Sequence, residues 1–199
     1  MTSTWISPEL MLTGGGVELV PLAPDHIPGL YRAGKNPELW RFVPFAVASE
    51  SDMGRYVSMA LADRDRGEGF PFTIRHKADG RILGSSRYYS LSPQNRNLEI
   101  GYTWLDPSVW RTAVNTECKL LLLRHAFESL GCVRVALRTD LRNLRSRNAI
   151  ERLGATLEGV LRKHMILPDG YIRDTVYFSI TDEEWPQVKN GLAARLVDA

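Results

Sequence analysis

The fold is decided by a central strand and the elements on either side of it. The strand is Asn97-Leu98-Glu99-Ile100-Gly101-Tyr102-Thr103-Trp104-Leu105, and turn-forming residues at 92–95 connect it to a preceding hairpin. We predict the hairpin strands at 70–76 and 81–91, where a glycine-containing turn separates them. The middle of the chain is therefore predicted to form three consecutive antiparallel strands.

Elements outside this group alternate between helical and strand patterns. Upstream, an alternating segment predicts a strand at 17–22, and a one-sided apolar face predicts a helix at 49–65. Two shorter helices are predicted at 25–35 and 37–45. Downstream we predict a helix, a strand, a second helix and a second hairpin, at residues 115–130, 133–139, 144–153, 157–167 and 171–180. The sum predicts an α/β (α+β) fold, with helices on both faces of a mixed, mostly antiparallel central sheet.

The length of the chain indicates one domain. At 199 residues, with 44% hydrophobic and 24% charged residues, the composition is that of a globular protein with a substantial core. We expect an N-terminal extension at 1–16, a single domain at 17–190 and a C-terminal tail at 191–199. No apolar run approaches the length that a transmembrane helix needs.

Charge and cysteine content exclude several classes of function. The net charge of +2 is too small to indicate a nucleic-acid partner. Cys118 and Cys132 lack the spacing of a disulfide framework or a metal site, so we expect reduced thiols and no bound metal. Residues 1–16 lack the basic and apolar regions of a signal peptide. We therefore expect a cytoplasmic protein without a membrane partner, and a homodimer formed through the edges of the C-terminal hairpin is compatible with the sequence.

A series of short motifs runs through residues 98–181 in a specific order and spacing. They are Leu98-Glu99-Ile100-Gly101-Tyr102-Thr103-Trp104-Leu105, Asn115-Thr116-Glu117, Asn143-Leu144-Arg145-Ser146-Arg147-Asn148-Ala149-Ile150, Leu153-Gly154-Ala155, Glu158-Gly159-Val160-Leu161-Arg162, Asp169-Gly170-Tyr171-Ile172-Arg173-Asp174 and Glu184-Trp185. In this series the chain resembles the RimJ/RimL-like branch (ribosomal-protein N-acetyltransferase-like) of the GNAT superfamily of N-acetyltransferases. A weaker match extends the resemblance over most of the chain from Val17.

The resemblance implies acetyl-CoA as the cofactor and a splayed pair of strands in the sheet. In GNAT folds the strand equivalent to 97–105 diverges from the next strand, and the pantetheine arm of CoA lies in the opening. The pyrophosphate is expected at the loop 111–116, where free N–H groups and the positive end of a helix favour an anion. The implied cofactor-binding residues are Tyr102, Trp104, Leu105, Arg111, Thr112, Ala113, Val114, Asn115, Thr116, Asn143, Ser146 and Arg147.

The loop 111–116 departs from the family pattern at two positions. Arg111 matches, but Val114 and Thr116 occupy places that are mostly glycine in the family. Side chains there are expected to limit how closely phosphates approach the backbone. Polar side chains of the same loop could offset this by donating hydrogen bonds. The alternative is an ordinary helix start without a ligand.

The implied reaction is direct attack of a primary amine on the acetyl thioester, the amine being a protein N-terminal α-amine or a small molecule. Glu99 is our candidate general base, because a carboxylate beside the splay could take the ammonium proton directly or through water. The alternative for Glu99 is a cross-strand ion pair with an arginine such as Arg87. Ser146 is the candidate to orient a water or to hydrogen-bond the leaving sulfur. Asn143 is also a natural N-cap for the helix that follows it.

The pocket for the acceptor amine is expected to have aromatic walls. The expected lining residues are Trp40, Phe42, Phe45, Arg87 and Tyr88, with Tyr89 and Arg173 nearby. Such walls suit a peptide N-terminus or an amphipathic amine, but they suit an ordinary core equally well. Two alternatives to an acetyltransferase remain open at this point, a non-catalytic CoA-binding or regulatory module and an interaction scaffold that uses the same fold.

Overall fold

The computed structural model describes residues 5–197. In this part of the chain eight strands form one sheet in the order β1-β2-β3-β4-β5-β6-β8-β7. Their bounds are β1 Leu12–Thr13, β2 Val17–Pro21, β3 Gly69–His76, β4 Ile82–Ser92, β5 Asn97–Leu105, β6 Arg134–Asp140, β7 Thr156–Ile166 and β8 Ile172–Thr181. All neighbouring strands are antiparallel except β5 and β6, which are parallel. The predicted mixed, mostly antiparallel sheet is confirmed.

Five α-helices pack against this sheet within the described residues. They are α1 Ile27–Ala33, α2 Glu50–Asp65, α3 Val114–Arg124, α4 Leu144–Leu153 and α5 Trp185–Val197. The helix predicted at 115–130 is α3 together with a π-helical turn, His125–Ser129, and it ends at Gly131 with a left-handed φ of +65°. Only glycine adopts that conformation without a steric cost, which explains why the helix ends there.

The parallel pairing of β5 with β6 is very short. It covers three residue pairs, Asn97–Glu99 with Arg134–Ala136, and beyond them the two strands separate. On its other side β5 remains paired with β4, although the register shifts between Gly101 and Trp104. Within that shift Tyr102 has a φ of +50°, so the strand carries a bulge. The splay implied by the family resemblance is therefore present, and the bulge lies inside it.

Apolar side chains form a core on each face of the sheet. Beneath α3 and α5 the core includes the fully buried Phe72, Tyr88 and Phe178. Beneath α1 and α2 a second cluster contains Trp40 and Trp104. Two buried faces require helices on both sides of the sheet, as predicted.

The helix predicted at 37–45 is wrong. Only a single 3₁₀ turn, Pro37–Leu39, forms there, capped by Asn36, and turns and bends follow it. Pro44 disfavours a helical conformation at Val43, and so short a segment gains too few hydrogen bonds to form a stable helix.

The expected domain boundaries do not separate the chain ends from the domain. Leu12–Thr13 pairs with β2, and Ile6 is buried in the core, so much of the expected N-terminal extension belongs to the domain. The expected tail from residue 191 is the second half of α5, in which Leu192 is only 1% exposed. Burial of this apolar residue ties the C-terminal helix to the core. Residues 1–4 and 198–199 lie outside the described residues.

Candidate active site

A cavity of about 750 Å³ opens where β5 and β6 separate. Residues 100–105 of β5 form one wall, and residues 137–139 of β6 lie opposite. The start of α3 and much of α4 contribute further walls, together with side chains from β4, β7 and β8. The cavity is therefore a consequence of the splay, because a continuous sheet would leave no opening there.

The free edge of β5 offers backbone hydrogen-bonding groups to this cavity. Beyond Glu99 the strand pairs with β4 alone. Its backbone N–H and C=O groups that point towards β6 therefore have no hydrogen-bond partner on a neighbouring strand. Tyr102, Trp104 and Leu105, the three predicted binding residues of β5, all line the cavity. An extended ligand with amide groups could bond to this edge as an additional strand would.

The start of α3 provides groups beside the cavity that can bind an anion. Ala113 provides no side-chain cap, and the Val114 N–H donates to the Thr112 hydroxyl at 3.4 Å, so within residues 5–197 the N–H groups of Asn115 and Thr116 remain free for another acceptor. Arg111, with a left-handed φ of +62°, and Asn115 both line the cavity. The Thr112 hydroxyl instead donates to the Val109 carbonyl oxygen at 2.7 Å.

Four of the predicted loop residues do not line the cavity, namely Thr112, Ala113, Val114 and Thr116. Val114 packs against the apolar core beneath α3 instead. Val114 and Thr116, which stand in the glycine places, therefore lie beside the cavity and not in its lining.

The start of α4 lines the same cavity. Asn143 caps the helix, because its Oδ1 accepts a hydrogen bond from the Ser146 N–H at 3.1 Å, and both residues are lining residues. Arg147 points elsewhere and donates to the Leu141 carbonyl oxygen at 3.4 Å. Two other arginines of this helix, Arg145 and Arg152, line the cavity in its place.

Glu99 lies at the last paired position of β5, where the splay begins, and it is not itself a lining residue, although the neighbouring Tyr89, Ile100 and Arg138 are. Its Oε2 is 3.3 Å from Nε of Arg138, and its side chain is only 16% exposed. The alternative of an ion pair is thus confirmed with a different arginine from the one suggested. Arg87 instead contacts Asp63 at 3.1 Å and stacks over the Tyr102 ring at 4.2 Å. Sequence reasoning missed Arg138 because its strand is separated from Glu99 by a helix.

Tyr89 forms the wall next to Glu99. Burial, followed by the negative charge of Glu99, raises the pKa of the Tyr89 phenol, so Tyr89 is a neutral hydrogen-bond donor near pH 7. Gly101 makes room for the ring, because a Cβ at this position would lie 2.6 Å from Cε1 of Tyr89. The aromatic wall therefore depends on a glycine in the neighbouring strand.

Of the five residues expected to bind the acceptor, only Phe42 lines the cavity. Tyr88 is fully buried on the opposite face of the sheet, where its hydroxyl donates to the Leu122 carbonyl oxygen at 2.7 Å. Trp40 and Phe45 pack against each other in the second core cluster. Four expected pocket residues are therefore corrected, because they pack against other parts of the domain and do not line the cavity. They are Trp40, Phe45, Arg87 and Tyr88.

Lys119 is a cavity residue that sequence reasoning did not identify. It is only 5% exposed, and its Nζ donates to the Thr103 hydroxyl at 2.6 Å. Burial lowers the pKa of Lys119 to about 8. The signal in the sequence was a lysine within the otherwise apolar run Cys118–Leu123. A charged residue inside a buried helix face calls for a specific partner.

The fold and the site together define a class of protein in which a splayed strand pair and a helix start can take up an extended, anionic ligand. A family model described as an acetyltransferase (GNAT) domain matches residues 17–156. A solved structure from T. thermophilus, provisionally named an acetyltransferase, is 40% identical, covers 96% of this chain and 99% of that chain, and has a TM-score of 0.87. The chain belongs to the GNAT acetyltransferase family, whose members transfer an acetyl group from acetyl-CoA to an amine.

Two further relatives agree with this family. A protein of Bacillus subtilis (strain 168), provisionally named the ribosomal N-acetyltransferase YdaF, is 34% identical over 107 residues, which are 54% of this chain and 57% of the relative. Mycobacterium smegmatis RimJ, solved in complex with CoA-disulfide, is 22% identical, covers 94% of this chain and 95% of that chain, and shares the fold with a TM-score of 0.81. The predicted family and cofactor are confirmed. Within residues 5–197 no helix has both the length and the apolar character needed to cross a bilayer.

Proposed function

We propose that this chain acetylates a primary amine, either a protein N-terminal α-amine or a small-molecule amine, with Glu99 as the general base. The observation that carries the proposal is the shared cavity in which the free edge of β5, the start of α3 and the start of α4 meet. The name of the Bacillus subtilis relative, a ribosomal N-acetyltransferase, supports a protein N-terminus as one acceptor.

Acetyl-CoA fits the lining residues of this cavity. Backbone groups near Tyr102, Trp104 and Leu105 would bond the pantetheine amides. Arg111, Asn115 and the first turn of α3 would hold the pyrophosphate, since free N–H groups and a guanidinium favour an anion. Among the α4 residues, Asn143 and Ser146 would lie near the thiol end. The position of the Val114 and Thr116 side chains outside the cavity lining supports this assignment.

The bound cofactor supplies the acetyl group as a thioester, and the chain supplies the proton transfers and the orientation. The amine must lose a proton as its nitrogen bonds to the acetyl carbon, and Glu99 would take that proton directly or through water. A backbone N–H near Trp104 or Leu105 would stabilise the negative charge that develops on the carbonyl oxygen. As the carbon–sulfur bond breaks, the sulfur takes up a proton, and Ser146 would orient the water that delivers it.

The alternative of CoA binding without turnover was motivated by Val114 and Thr116. The acetyltransferase family match and the named acetyltransferase relative favour catalysis over that alternative. A cytoplasmic location and a homodimer stay predictions. The two free, buried cysteines are compatible with a reducing compartment.

The test combines a binding measurement with a turnover measurement. Acetyl-CoA at about a hundred times its dissociation constant should stabilise the fold by about 2.7 kcal/mol in thermal unfolding. Asn115→Asp places a negative charge at the expected pyrophosphate site and should weaken acetyl-CoA binding roughly tenfold or more. An acidic residue in the first turn of a helix is favourable, so loss of folding is not expected. Asn190→Asp, on the exposed part of α5, is the matched control.

Turnover is then followed as release of free thiol with a panel of amines that includes N-terminal peptides. Acetylation of at least one amine, confirmed by product mass, supports the proposal. Acetyl-CoA binding without turnover of any amine would favour the non-catalytic module. No binding by the wild-type protein would overturn the cofactor assignment for this chain.

A further inference from the structure

Two arginines from neighbouring strands line the wall of the cavity beyond the splay. Arg138 belongs to β6 and Arg173 to β8, its antiparallel neighbour in the sheet, and both line the cavity. Arg138 is opposite Tyr177, and Arg173 lies four residues before Tyr177 on the same strand, so the two arginines share one face of the sheet. Phe42 contacts Arg173 through its carbonyl oxygen, and the Arg138 guanidinium lies 5.1 Å from the centre of the Tyr89 ring.

The positive charges of this wall are only partly balanced. Arg138 is paired with Glu99 at 3.3 Å. The nearby Asp140 is held by Arg142 through two contacts of 3.1 and 2.8 Å, and its charge also acts on Arg173 from a greater distance. Arg173 has neither carboxylate as an ion-pair partner within the described residues.

Arg173 is also incompletely hydrogen-bonded. It is 6% exposed, one terminal nitrogen donates to the Phe42 carbonyl oxygen at 3.2 Å, and its Nε has no hydrogen-bond partner among residues 5–197. A buried guanidinium with an unused N–H is costly unless an acceptor arrives. The acceptor that matches its geometry and charge best is a carboxylate, which accepts two hydrogen bonds from one guanidinium.

We propose that Arg173, with Arg138 beside it, binds a carboxylate of the acceptor, so that the acceptor is an amine that carries a carboxylate close to its amino group. This inference rests on the proposed function, because it assigns the acceptor end of the same cavity. A simple alkylammonium ion would be repelled by the two guanidinium groups, whereas a carboxylate on the same molecule offsets the repulsion. Free amino acids and peptides with an acidic N-terminal residue both have this chemistry.

Matched substrates test the inference on the wild-type enzyme. One pair is a peptide that begins with Asp and the same peptide beginning with Asn, and the other is a free amino acid and its amide. In one of the two pairs we expect kcat/KM to be at least about tenfold higher for the member that carries the carboxylate. The pair that shows this difference identifies the acceptor as an acidic peptide or as a free amino acid. Equal kcat/KM values within both pairs would overturn the inference.

Variants of Arg173 test whether this residue binds the carboxylate. Arg173→Gln should lose a larger factor on the carboxylate member of the preferred pair than on the neutral member, mainly through KM, and Arg173→Lys should recover part of the difference. Arg162→Gln, which removes an exposed arginine on β7, should change neither member. Equal losses on both members would show that Arg173 only supports the fold, and thermal unfolding of each variant identifies misfolded protein.

A binding measurement separates this inference from the proposed function. Succinate is added to the CoA-loaded protein, and thermal unfolding is compared between the wild type and Arg173→Gln. A saturable stabilisation that the variant loses supports the carboxylate site even if no amine is acetylated, in which case only the proposed function fails. Turnover of neutral amines without any effect of succinate would overturn the carboxylate site and leave the proposed function in place.

Discussion

Glu99 and Arg138 form an ion pair across the beginning of the splay, with 3.3 Å between Oε2 and Nε. Glu99 is opposite Ala136 in the last parallel pair, and Arg138 lies two residues further along β6. The pair therefore spans the point at which backbone pairing stops. Because both side chains are largely buried, their contact fixes the orientation of the carboxylate beside the cavity.

Glu99→Gln should lower turnover by roughly a hundredfold, because an amide of the same shape cannot accept the amine proton. The thermal stabilisation by acetyl-CoA should stay unchanged, since Glu99 is not assigned to the cofactor. Glu183→Gln, at an exposed position, is the matched control for the same chemical change. Full activity of Glu99→Gln would remove Glu99 from the mechanism and leave it as the ion-pair partner of Arg138.

Substitution of the two adjacent tyrosines of β4 by phenylalanine should affect different properties, stability at Tyr88 and turnover at Tyr89. Tyr88→Phe removes a buried hydrogen bond to the Leu122 carbonyl oxygen and should cost about 1 kcal/mol of unfolding free energy without changing turnover. Tyr89→Phe removes a neutral phenol from the cavity wall and should lower kcat/KM by up to roughly tenfold with little loss of stability. Urea unfolding and steady-state kinetics measure the two effects. The reverse pattern would mean that the two rings are assigned to the wrong faces.

Restoring the family glycines at Val114 and Thr116 should not improve cofactor binding. Neither side chain lines the cavity, so the double variant Val114→Gly, Thr116→Gly should change the dissociation constant of acetyl-CoA by less than about threefold. Glycine in the first turn of α3 should lower the unfolding free energy by roughly 1 kcal/mol per substitution. A large gain in affinity, measured by calorimetric titration, would show that the wild-type side chains do obstruct the phosphates.

Lys119 should make stability depend on pH in a defined direction. Burial lowers its pKa to about 8 in the folded protein from 10.5. Between these values the unfolded chain binds more protons, so the contribution of Lys119 to stability rises with pH over this window and is most unfavourable below pH 8. Lys119→Met should therefore be more stable than the wild type at pH 7, by about 1–3 kcal/mol.

The advantage of Lys119→Met should shrink as pH rises from about 8 to 10.5, because the lysine is then mostly neutral in the folded state and loses its proton in the unfolded state only above this range. Urea unfolding of both proteins across this range measures the difference directly, and other titrating groups cancel because both proteins share them. Thr103 keeps a partner in the variant, since its hydroxyl also contacts the Ser86 hydroxyl at 2.8 Å. A stability difference that does not change with pH would contradict the buried, neutralised lysine.

Several parts of this structure could be predicted because their signals are local. Asn143 and Gly154 bound α4 at the predicted residues, as expected from an N-cap and from a glycine with a φ of +94° at the C-terminal end. The strand at 97–105 has the predicted bounds, and turn residues delimit both hairpins. The helix at 37–45 failed because a weak local preference for helix was outweighed by Pro44 and by tertiary packing of Trp40.

The order of strands and helices and the family could be predicted from the sequence, because periodicity, caps and motif spacing are properties of neighbouring residues. Which side chains meet in the cavity depends on tertiary packing. Alternation along β4 puts Tyr88 and Tyr89 on opposite faces, but packing of α3 decides which face is core. Glu99 meets Arg138, and Arg173 joins that wall, because β5, β6 and β8 become neighbours across long stretches of chain. Such contacts depend on sheet order, which no local pattern encodes.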